Sequence, residues 1–123
     1  MDELTAGLAG YVRAVAAQVG VPTEGTEYEV SDTATAYLAL AEGTGRDLML
    51  LWSETHGWSI AVETAPAEPP VVLAHLGVPV VPPPRTVARF VKDVLAGKRG
   101  STEPTVGGDR SVLAVRLRPY AMF

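Results

Sequence analysis

Cysteine is absent from the 123 residues and histidine occurs only twice, as His56 and His75. Without cysteine there are no disulfides, no thiolate metal sites and no thiol nucleophiles, and nothing argues for an oxidising compartment. A zinc site needs three or four converging ligands. Neither histidine has a second ligand at metal spacing, so no metal and no cofactor is expected. No apolar run reaches the ~18 to 20 residues of a membrane span, so no membrane association is expected. The first residues, MDELTAGLAGYVRAV, carry acids where a secretory signal needs positive charge. A cytoplasmic protein is the expectation.

Catalytic and nucleotide motifs are missing as well. The G-x-G of EGTGRD (42–47) is not completed to G-x-G-x-x-G, and a strand-like run follows where a phosphate loop needs a helix. Ser53, Ser59, Ser101 and Ser111 are the serine candidates for nucleophilic chemistry, but none lies in a G-x-S-x-G elbow. Glu27 and Glu29 alternate onto one strand face with Asp32 near, which suits a solvated edge as well as paired-carboxylate chemistry. The chain is therefore read as non-enzymatic, with a small enzyme using His56 beside Glu54 ranked third among the functional readings.

What is present is a strong division of charge. Residues 1–69 hold 11 acids and two bases, and residues 70–123 hold three acids and eight bases. Such a split points to charged partners unless the halves interleave in space and cancel.

The hydrophobic pattern gives the element order. Leu4, Leu8, Tyr11, Val12, Val15 and Val19 follow helical spacing until Gly20 and Pro22 end the run. Gly7 and Gly10 weaken that helix and mark a close approach, expected against a sheet. From Glu27 to Leu40 the period becomes two, interrupted at Ser31-Asp32 by a bulge or a short turn. LLWSETHGWSIAVE (50–63) reads as a hairpin with Thr55-His56-Gly57 as its loop, pairing Glu54 with Trp58 and Trp52 with Ile60. This pairing places Leu50, Trp52, Trp58, Ile60 and Val62 on one face and Met49 and Leu51 on the other. TAPAEPP (64–70) is a connection, and VVLAHLG (71–77) is read as a strand in preference to a short helix. A helix starts at Pro84, carries Val87, Phe90, Val91, Val94 and Leu95 on one stripe and stops at Gly97. Residues 98–111 are expected to be a mobile loop. Val112–Arg118 is expected to be a strand with Leu113, Val115 and Leu117 inward.

One α+β domain over residues 1–123 follows, a two-layer sandwich of four to five antiparallel strands against two helices in the order α-β-β-β-β-α-β. Its surfaces are the candidates for function. Met49, Leu51, Tyr120, Met122 and Phe123 are the candidates for protein contact, read as self-association in a homodimer, with the sheet and C-terminal segment forming one surface. Arg85, Arg89, Lys92 and Arg99 lie broadly along the outer side of the second helix, with Lys98 at its end. They are the candidates for nucleic acid or another polyanion, the second-ranked reading.

The stretches EVSDTATAYLAL, RDLMLLW, HGWSIAVET and EPPVVLAHLG resemble a family of small actinobacterial proteins classed as a domain of unknown function. The resemblance spans about Leu4 to Ala96, and an excess of arginine over lysine, eight to two, fits a high-GC genome. It implies no activity and transfers no catalytic residue. The order of helix, antiparallel strands and helix is loosely similar to secretion-chaperone-like domains, which implies a dimeric binding module.

Overall fold

The computed structural model describes residues 2–40, 47–64, 67–98 and 109–122. Helix α1 spans Glu3–Val19. After a 3₁₀ turn at Thr23–Gly25 come β1 (Thr26–Val30), β2 (Ala34–Leu40), β3 (Leu48–Ser53), β4 (Gly57–Val62) and β5 (Val71–His75). Two helices follow, α2 (Pro84–Leu95) and α3 (Arg110–Leu117), and a 3₁₀ turn covers Arg118–Tyr120. The strands form one antiparallel meander in the order β1-β2-β3-β4-β5, and the fold is α+β.

Local chemistry explains the ends of α1. Asp2 caps it by accepting from the Thr5 amide at 2.7 Å, and Gly20 closes it with φ 91°. Pro84 sits in the first turn of α2, where the missing N–H costs nothing. One apolar cluster joins the three helices to the sheet. It contains Leu8, Tyr11 and Val15 of α1, Val87, Phe90 and Val94 of α2, Leu113 and Leu117 of α3, and Leu38, Leu50, Trp52, Trp58 and Ile60 of the strands. Full burial of side chains of this size contributes roughly 1.5–3 kcal/mol each.

The proline-rich segment before α2 contributes to this core through its carbonyls. Trp52 Nε1 donates to the Val80 carbonyl at 2.8 Å. Trp58 Nε1 donates to Tyr11 Oη at 3.1 Å, and Tyr11 Oη donates to the Pro82 carbonyl at 2.5 Å. Three buried donors thus find acceptors, two of them on backbone that makes no sheet ladder. Burial pushes the Tyr11 phenol well above its ordinary range.

Several of these expectations require correction. Residues 110–117 are helical where a strand was expected. Leu113 and Leu117 are buried at i, i+4 spacing while Val115 is 54% exposed, and the side chain of Asp109 caps the helix by accepting from the Ser111 amide at 3.0 Å. The capping aspartate and the i, i+4 leucines outweigh the apparent period of two. The expected loop 98–111 therefore ends at Asp109, its remaining segment 99–108 lying outside the described residues as do residues 42–46 of EGTGRD. Second, Gly7 and Gly10 do approach another element closely, but it is the C-terminal segment and not the sheet. A Cβ on Gly7 would stand 2.8 Å from Leu117 Cβ, and one on Gly10 would overlap the Tyr120 carbonyl oxygen. Leu95, expected on the buried stripe of α2, is 41% exposed at its end.

Third, the tryptophan hairpin has a different register. Trp52 pairs directly with Trp58, Leu50 with Ile60 and Leu48 with Val62, a shift of two residues from the expected pairing. A shift of two leaves every side chain on its expected face. The physical reason is that Glu54 leaves this ladder to bond across β2. Its amide donates to the Ala34 carbonyl at 3.0 Å and its carboxylate accepts from the Ala34 amide at 2.6 Å. Ser53 Oγ then accepts the His56 amide at 2.9 Å, closing a turn of Glu54, Thr55 and His56, and Gly57 follows with φ 73°.

Candidate interaction surface

Because the three helices share one cluster, the opposite face of the sheet has no helix over it among the described residues. The strand register sorts that face into three rows. Nearest the hairpin tip are Glu29, Thr35, Ser53 and Gly57. The middle row is Glu27, Tyr37, Leu51, Ser59 and His75, and the third is Ala39, Met49, Ala61 and Val72. A solvated face of an antiparallel sheet ordinarily alternates polar side chains outward. Here the acids stand on β1, and these rows contain no Asp, Glu, Lys or Arg on β2 to β5.

Met49 and Ala61 are buried without belonging to the helix-side cluster. Tyr37 Oη donates to Glu63 Oε1 at 3.2 Å, along a diagonal that the register carries over Met49. Burial first, and the neighbouring Glu63 carboxylate second, raise the Tyr37 phenol above its ordinary value.

Two shallow depressions of about 320 and 380 Å³ mark the face and share Thr35 and Leu51. The first is bordered by Glu27 and Glu29. The second is bordered by Ser53, His56, Ser59, Val72 and His75. The second depression thus gathers both histidines, His56 from the β3–β4 turn and His75 from β5, and the first the paired acids of β1. Sequence periodicity missed the placement of His75. A register shift between Ile60 and Ala61 sets Val72 opposite Ala61, Ala74 opposite Ile60 and His75 opposite Ser59, so Val72 and His75 share a face despite their odd spacing. His75 Nδ1 is buried without a hydrogen-bond partner. A proton on that nitrogen would be an unpaired buried donor, so the neutral ring is best satisfied as the Nε2–H tautomer.

The Glu54 carboxylate is engaged by α3. It receives Arg110 Nη2 at 2.7 Å and Arg110 Nε at 3.2 and 3.3 Å, which joins α3 to the sheet. The Arg110 hydrogen bonds, more than any other influence, hold the Glu54 carboxyl below its ordinary value. His56 Nδ1 instead lies 3.1 Å from Thr55 Oγ1 and 3.5 Å from Ser53 Oγ, ordinary turn chemistry.

The other candidate residues do not converge on this face. Tyr120 packs back on α1, its ring 4.9 Å from that of Tyr11 on the helix side of the sheet. Met122 is 95% exposed and Phe123 lies outside the described residues. The expected single surface of sheet and C-terminal segment is therefore divided. Arg85, Arg89 and Lys92 are exposed on α2, and Arg99 lies outside the described residues. Lys98 stands 3.9 Å from Asp93. The charged halves interleave in part, through Arg110 with Glu54 and Arg118 with Glu3, the latter at 2.8 Å.

Among the described residues no helix is long and apolar enough to cross a membrane. No curated protein and no solved structure matches the chain. A family model does match, over residues 11–93, covering the second half of the first helix, the whole sheet and most of the second helix. The chain belongs to that family, the family of unknown function DUF6292.

Proposed function

We propose that this protein is a non-enzymatic binding module of the cytoplasm that acts as a homodimer through the sheet face that no described helix covers. One observation carries the reading: the centre of that face is Met49 and Leu51 on β3, and around them β2 to β5 place uncharged side chains in all three rows. A sheet face with no described helix over it and an apolar centre, its carboxylates standing on β1 and at Glu63, suits a contact surface. Equilibrium sedimentation up to high micromolar concentration tests the reading. Wild-type protein is expected to be in monomer–dimer exchange, and Leu51→Lys to be monomeric with an unchanged circular dichroism spectrum. A wild-type chain that stays monomeric throughout would remove the proposal.

A second reading has its own observation. Arg85, Arg89 and Lys92 are exposed at i, i+4 and i+7 on α2 and have no ion pair among the described residues, and Arg89 and Lys92 border a depression of about 470 Å³ between α1 and α2. Such a stripe suits a polyanion. Retention on heparin at low salt that is unchanged by Arg89→Glu with Lys92→Glu would exclude it.

A further inference from the structure

We infer that the groove between α1 and α2 docks an acidic amphipathic helix of a partner protein, with its apolar side chains on the groove floor and its carboxylates on Arg85, Arg89 and Lys92. The inference rests on the cationic stripe of the second reading above and names what that stripe takes.

The groove offers more than charge. Val19 of α1 and Ala88, Val91 and Leu95 of α2 border its depression of about 470 Å³, with Gln18 at the side. Ala88 is the smallest side chain of that set, so the two helices leave a trough that a larger residue would fill. Val19 is only half-buried, and Leu95 at the rim is 41% exposed. Val87, Phe90, Val91 and Val94 of the same helix are buried, so Leu95 is the apolar surface of α2 still open to burial by a partner.

The charge around this trough is of one sign. From Tyr11 to Val19 of α1 and from Pro84 to Leu95 of α2 the only acid is Asp93, and it stands 3.9 Å from Lys98. Arg85, Arg89 and Lys92 are therefore left for an outside anion. The first turn of α2 contains Arg85 and no acid, and Pro83 gives no side-chain cap. A carboxylate brought to that end would complement both the arginine and the helix dipole.

The spacing selects a helix as the occupant. Arg85 to Lys92 covers about two turns of α2, or roughly 10 Å. Carboxylates at i, i+4 and i+7 of a second helix lie along one side over the same length, and apolar residues beside them turn into the trough. A second copy has no such helix among its described residues: α1 contains Glu3, α2 Asp93 and α3 no acid at all. Nucleic acid suits the trough less. No aromatic side chain borders the depression to stack a base, and phosphates would leave Val19, Ala88 and Leu95 open to water.

The probe is a fluorescein-labelled peptide of about 15 residues with glutamates at i, i+4 and i+7, a leucine after each and alanine elsewhere. Its anisotropy is titrated with the full chain at low salt. Saturable binding is expected, weakened about tenfold or more by Arg89→Glu with Lys92→Glu and unchanged by Arg116→Glu, an exposed base of α3. Leu95→Gln is expected to weaken the peptide about threefold while leaving heparin retention unchanged, and a peptide with alanine for leucine to bind weakly to either chain. All these positions are exposed, so each variant is expected to keep the wild-type circular dichroism spectrum. A peptide that fails to bind while heparin is held through Arg89 and Lys92 overturns the inference and leaves the polyanion reading standing. Equal binding of the leucine and alanine peptides does the same. If neither the peptide nor heparin binds, both fall. Self-association that Arg89→Glu with Lys92→Glu abolishes would assign the groove to a second copy and overturn the inference as well.

Discussion

Gly10→Ala tests how the C-terminal segment is seated. In an isolated helix the substitution stabilises by about 0.8–1.0 kcal/mol. Here the new methyl would overlap the Tyr120 carbonyl oxygen, which is backbone and cannot rotate away. The turn at Arg118–Tyr120 must therefore lift from α1, taking Leu117 with it. Leu117 is fully buried, and the Tyr120 ring lies 4.9 Å from Tyr11. Losing most of that leucine's burial costs about 1.5–3 kcal/mol. Losing the tilted aromatic pair costs about 0.5–1.5 kcal/mol more. After the helix gain is deducted, the net loss is about 1–3.5 kcal/mol. Urea unfolding followed by tryptophan fluorescence measures it. Hydrogen exchange localises it: amides of α3 are expected to lose protection while those in the centre of α1 keep theirs. A variant that is more stable than wild type, or one whose α3 amides are unaffected, would refute the close seating of this segment on α1.

Two other substitutions examine the polar contacts that join the layers. Tyr11→Phe removes an acceptor for Trp58 Nε1 and a donor to the Pro82 carbonyl, leaving both partners buried. A loss of about 1–3 kcal/mol in urea is expected, with little change in the far-ultraviolet spectrum. Glu54→Gln weakens the Arg110 contact, and since the Arg110 side chain is 39% exposed the cost at neutral pH is expected to be only about 1–2 kcal/mol. The Glu54 carboxyl is lowered in the folded state from its ordinary 4.5, so its contribution is fully present above that pH and is lost as pH falls through the lower folded value. The difference between wild type and Glu54→Gln should accordingly shrink as urea midpoints are followed from pH 7 down to about pH 3, and a gap that stays constant would count against the ion pair.

The fold was legible where one period dominated. The first helix, the β1–β4 meander and α2 follow from apolar spacing and from Gly20, Pro84 and Gly57 at their ends. The face of each hairpin residue was legible too, because a wrong pairing by two residues preserves parity. Its partners were not, since they depend on Glu54 leaving the ladder for Ala34 and Arg110, and Arg110 is 56 residues away. The last helix was misread because Leu113, Val115 and Leu117 satisfy a period of two, while Leu113 and Leu117 alone satisfy the helical one. Asp109 was the available signal. The apolar centre of the candidate surface, Met49 and Leu51, was readable from the sequence. Its β5 edge was not, because the register shift that sets Val72 and His75 on one face leaves no mark in VVLAH.

That shift matters beyond topology, because strict alternation along β5 would carry a different set outward. With Ala74 on the core side, Val72 would follow it inward, and Val71, Leu73 and His75 would stand on the open face. The shift turns Val72 outward beside Ala61 instead, and His75 stays opposite Ser59. Two of the three rows then end at β5 in Val72 and His75, one apolar and one a hydrogen-bond donor, while the β1 edge presents Glu27 and Glu29. The same meander without the irregularity would keep its apolar centre and end its third row in Leu73 instead of Val72.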